Sequence, residues 1–243
     1  MATVDAIAAL ERDLRGIFSE RLQSLAVYGE RMRPRHSSDD QHGAHEEPPI
    51  QTLAVVDVLA ERDLRACAER AAAWHEAGLA TPLLLAAREF ERSLDAFPLE
   101  FGAMITDHRV VYGRDPFAAM AVDSADIRRA CEVQARSHLL HLREGYIETR
   151  GRADALSVLI VQSAAALAGL VSSVARLEIH ADDPAAAARH AERALGVPPG
   201  AIADVVALAT VPEISSQQAE RLFPPYLDAV DKLVAYVDGW SGR

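Results

Sequence analysis

Only two cysteines, Cys67 and Cys131, occur in the 243 residues. Both fall inside helical patterns, without the spacing of a disulfide framework or a thiolate metal site, which suits a reducing compartment. A surplus of positive charge is also missing: 36 acidic side chains oppose 25 basic ones, for a formal net charge of −11. Such a surface repels phosphate backbones at long range, so nucleic-acid binding is not expected. The dense basic cluster Arg31, Arg33 and Arg35 is followed closely by acids and reads as a solvated loop. The N-terminal residues carry charges in their first turns and no apolar core, so no signal peptide is expected and the cytoplasm is the expected compartment. No internal repeat of useful length is visible.

What is present is apolar periodicity. Half of the residues are hydrophobic, enough to bury a sizeable core in one large domain or two small ones. Val4, Ile7, Leu10, Leu14, Ile17 and Phe18 mark an amphipathic helix over 4–22. A short strand, 24–30, stops at Gly29. The polar, proline-bearing segment 31–49 has no periodicity and reads as a long loop. A strand over 51–59, a helix over 61–77 ending at Gly78, a strand over 81–86 and a short helix around Glu89–Asp95 follow. Residues 98–105 and 109–113 read as paired strands turning at Thr106-Asp107-His108.

From Asp123 the pattern becomes helical throughout, with helices expected over 124–148, 153–177, 184–195, 200–209 and 216–238. Gly151, Asp183-Pro184 and Pro198-Pro199-Gly200 separate them. The fold class is therefore α+β: a small mixed sheet with helices in residues 1–118, then an all-helical bundle in 119–243. Ala155 to Ala175 contains no charged side chain and is long enough to span a bilayer. Its neighbours carry apolar stripes that need a partner, so a helix in the centre of a bundle is expected and a membrane span is not.

The order of elements resembles the polymerase-β superfamily of nucleotidyltransferases, in the kanamycin-nucleotidyltransferase-like arrangement. Those proteins begin with a helix and a strand ending in Gly-Ser, then a loop and a strand opening with Asp-x-Asp. Here helix 4–22 runs into LAVYGE, so Gly29 matches the glycine and Glu30 stands at the serine. In PIQTLAVVDVL the two aspartate positions fall on Ile50 and Thr52. Phe97-Pro98-Leu99-Glu100, Val111-Tyr112-Gly113-Arg114-Asp115-Pro116 and 138–148 also resemble a group of uncharacterised bacterial members.

The resemblance implies phosphoryl transfer with magnesium held by the aspartate pair. Magnesium takes hard oxygen ligands, and alternate strand residues aim two carboxylates at one ion. Ile50 cannot ligate it, Thr52 offers a neutral hydroxyl, and Glu30 sets a negative charge where the family contacts phosphate. No cofactor is therefore expected, and the chain reads as a catalytically impaired nucleotidyltransferase-like protein acting as a binding or regulatory module. The alternative is an active divergent transferase moving a nucleotide to a hydroxyl, with magnesium on Asp39, Asp40 and Glu100. Asp39-Asp40 stand in the polar loop, among histidines that also offer metal ligands, while Glu100 falls where the family places a third acid. Asp57 has the opposite strand parity to Thr52. The Ala-rich helices would suit a homodimer or a protein partner.

Overall fold

The computed structural model describes residues 2–29, 48–178 and 183–240. Glu30, Asp39 and Asp40, like the rest of 30–47, lie outside the described residues. The chain divides into two compact units, Met1–Val122 and Asp123–Arg243.

The first unit opens with α1 (Ala2–Phe18), a 3-10 turn and β1 (Leu22–Tyr28). Then come β2 (Gln51–Val56), α2 (Glu61–Glu76), β3 (Leu83–Ala86), α3 (Ala87–Ala96), α4 (Pro98–Thr106) and β4 (His108–Gly113). The sheet order is β3-β2-β1-β4, with β1 antiparallel to β2 and β4 and β2 parallel to β3. Each face carries its own core. Leu25, Val27, Ile50, Ala54 and Val56 turn towards Leu10, Leu14 and Phe18 of α1 and Cys67 and Trp74 of α2. Leu53 and Val55 turn the other way, against Phe90 of α3, Phe101 and Met104 of α4, and Phe117.

Residues 98–105 are a helix, not the expected strand. Pro98 occupies the first turn, where its missing N–H costs nothing and its fixed φ is already helical. The apolar residues Phe101, Met104 and Ile105 then fall at i, i+3 and i+4, one side of a helix packed against Phe90 and Phe117. β4 accordingly pairs with β1 and not with a neighbour formed by 98–105.

Where β1 begins, Arg21 joins the sheet to α2. Its guanidinium donates to both carboxylate oxygens of Asp63, at 2.7 and 2.8 Å. Asp63 is 3% exposed and also accepts the N–H of Ala60, so it caps α2 while pairing with Arg21. This arginine partner, first of all, holds the carboxyl of Asp63 down at about 2.

The second unit contains α5 (Ser124–Glu148), α6 (Ala153–Ala175), α7 (Pro184–Leu195), α8 (Ala203–Val206) and α9 (Ser216–Gly239). The expected helix over 200–209 is broken, because after the short α8 the chain tightens to a 3-10 turn, Ala207–Thr210. The carboxylate of Glu192, 6% exposed, accepts the N–H groups of Gly200, Ile202 and Ala203 at 2.8–2.9 Å. Those donors have no helical partner at a helix start, and one buried carboxylate satisfies them. α6 has the length and composition of a membrane span. In the bundle it packs on α5, α7, α8 and α9, burying Ile160, Ala164, Leu167 and Val171, while Val158 and Gln162 stay exposed.

A polar chain crosses this core. His138 of α5 lies 2.6 Å from the hydroxyl of Tyr226 on α9, which donates to Ser163 of α6 at 3.0 Å. Ser163 in turn donates to the carbonyl of Ile160. Each hydroxyl proton is thereby committed, so His138 must donate through Nε2. Burial raises the Tyr226 hydroxyl and lowers His138.

Candidate functional site

The glycine that the sequence singled out ends β1. Gly29 has φ +89°, a backbone region that favours glycine, and its N–H donates to the carbonyl of Asp107 at 3.2 Å. A Cβ on Gly29 would stand 3.3 Å from Oε1 of Gln51. The sheet therefore closes at one end with a row of paired residues: Gln51 on β2, Tyr28 on β1 and His108 on β4. Cross-strand partners share a face, here the face packed on Phe117 and the α3–α4 side. Gln51 is exposed, Tyr28 is half-buried, and burial raises the Tyr28 hydroxyl above the ordinary phenol.

His108 is held on every side. Its Nδ1 lies 3.1 Å from the carbonyl of Ile105, its Nε2 lies 3.2 Å from Asp115, and its ring meets Phe117 edge-on at 4.7 Å. Both ring nitrogens face acceptors of the same unit, so the ring is positioned by Ile105 and Asp115. Asp115 is fixed as well, accepting the N–H of Phe117 at 2.8 Å. The Val111–Pro116 run is thus a clamp on β4. Gly113, at φ +76°, passes so close to β1 that a Cβ would lie 2.0 Å from the carbonyl oxygen of Gln23. Ser24 donates to the carbonyl of Arg114, and Arg114 donates to Gln23 at 2.9 Å.

Ile50 and Thr52 share one face, as strand alternation requires, and that face is covered by α1 and α2. Ile50 is 2% exposed and its backbone bonds to Gly78 and Ala80. Thr52 is 1% exposed, lies opposite Val27, and its hydroxyl finds no hydrogen-bond partner. Positions of the other parity, Gln51 and Leu53, carry no acid either. The first carboxylate along this strand's path is Asp57, beyond its end, exposed, with its N–H on the carbonyl of Arg21. Asp57 therefore stands at the end of β2 opposite to Gly29.

Glu100 is not on a strand. It is exposed in the first turn of α4, where a carboxylate interacts favourably with the helix N-terminus. Among the described residues no three side chains of His, Cys, Asp or Glu converge as a metal site. A magnesium ion of the kind the resemblance implies has no carboxylate pair on β2 to hold it, whichever face is considered. Sequence reasoning placed His108 in a turn and left Tyr28, Gln51 and Asp115 without a role. Their conjunction depends on the register of β1 against both neighbours, which no local pattern encodes.

No protein-family model matches the chain, nor does any curated protein. Solved structures do. A spectinomycin adenyltransferase from Enterococcus faecialis, solved with ATP and spectinomycin, superposes with a TM-score of 0.55 at 10% identity. The match covers 97% of this chain and 99% of that one. A nucleotidyltransferase-like protein from Exiguobacterium sibiricum matches 93% of this chain and 75% of that one, at 13% identity and a TM-score of 0.43. At the identity of the first match, likeness speaks of architecture alone, and the architecture of this chain is nucleotidyltransferase-like: a small mixed sheet flanked by helices, followed by a helical unit.

Proposed function

We propose that this chain is a nucleotidyltransferase-like protein that has lost metal-dependent transfer and serves, in the bacterial cytoplasm, as a binding or regulatory module. One observation carries the reading: β2 presents no carboxylate to either side, and Ile50 and Thr52 are core residues under α1 and α2. Phosphoryl transfer needs the triphosphate charge offset by a divalent ion or by cationic side chains. At the Gly29 end of the sheet stand instead Gln51, Tyr28 and a histidine already committed to Asp115 and Ile105. Two buried cysteines and no disulfide among the described residues suit a reducing compartment. Isothermal calorimetry with each nucleoside triphosphate, with and without magnesium, tests the reading. No magnesium-dependent binding is expected, and tight magnesium-dependent binding overturns it.

A second reading is favoured by one fact, the full-length match to an adenyltransferase solved with ATP and spectinomycin. Under it the chain moves a nucleotide from a triphosphate to a small-molecule hydroxyl, with magnesium on Asp39, Asp40 and the exposed Glu100. Transfer of labelled nucleotide that disappears in Glu100→Ala would support it. No transfer by the wild-type chain across a broad panel of hydroxyl acceptors would remove it.

A further inference from the structure

We draw no further inference here: the strongest candidate, the small cleft between α6, α7 and α9 rimmed by Glu178, His190 and Tyr236, carries nothing, because His190 and Tyr236 are both already bonded to the Glu178 carboxylate and nothing among the described residues shows what would fill it.

Discussion

Placing aspartates at positions 50 and 52 separates two meanings of a missing motif. If these positions opened onto a cleft, Ile50→Asp with Thr52→Asp would create a magnesium pair and support nucleotide binding; in the structure they point into the core under α1 and α2. Full burial raises a carboxyl by about 3–5 pKa units, to neutrality or above, so at pH 7 it takes up a proton and costs about 4 kcal/mol for each one. The neighbours of position 52 are Val27 across the strand and the apolar α1–α2 core, which offers no donor even to the hydroxyl of Thr52. Stability of a native domain is only about 5–15 kcal/mol, so the double variant should fail to fold in its first unit. Thr52→Val makes the opposite prediction. It removes a hydroxyl whose unpaired burial costs about 1–3 kcal/mol, at nearly constant shape. A gain of about 1 kcal/mol, or roughly 2–4 °C in Tm, is expected in thermal denaturation followed by circular dichroism. A folded Ile50→Asp, Thr52→Asp chain that binds magnesium-ATP by calorimetry would refute both the packing argument and the proposed loss of transfer.

Four further perturbations probe the packing of the two units, two in each. Gly113→Ala must strain a positive φ and drive a Cβ into the carbonyl of Gln23, so a loss of roughly 2–4 kcal/mol in urea unfolding is expected, with β4 loosened from β1. The Arg21–Asp63 pair gives an acid-dependent contribution. Because the carboxyl is held at about 2, below its ordinary value, the contribution is fully present above pH 4 and fades as pH falls towards 2. Asp63→Asn should flatten that part of the stability–pH curve, by an amount that solvent screening at the open Arg21 keeps small. Glu192→Ala strands the N–H groups of Gly200, Ile202 and Ala203 and should cost about 3 kcal/mol, whereas Glu192→Gln, which keeps an acceptor, should lose less. His138 is lowered chiefly by burial, so its stabilising contribution is present above the ordinary histidine range and is lost as pH falls below about 6.5, a slope that His138→Gln should abolish in denaturant midpoints measured from pH 8 to 5.

The sequence revealed most where a single period ran for several turns. α5 and α7 begin and end where their caps and periodicity put them, at Asp123 and Glu148, and at Asp183 and Gly196. It misled at 98–105, where every residue but Glu100 is apolar or small and both periods are satisfied. What decided for the helix was Pro98 at its start and the aromatic core of Phe90 and Phe117, and the second is a tertiary fact. Alternation correctly put Ile50 and Thr52 on one face, yet alternation has no sign. It tells which residues point together and never which of the two faces the helices will cover. The side of β2 buried under α1 and α2 was fixed by Leu10, Leu14, Phe18 and Trp74, residues distant in sequence from the strand they cover. The same limit hid the row Gln51–Tyr28–His108, which exists because β1 pairs with strands on both sides in one register. Once that register is known, positions 50 and 52 are core positions. Both lie under α1 and α2, so carboxylates at either are opposed by folding itself.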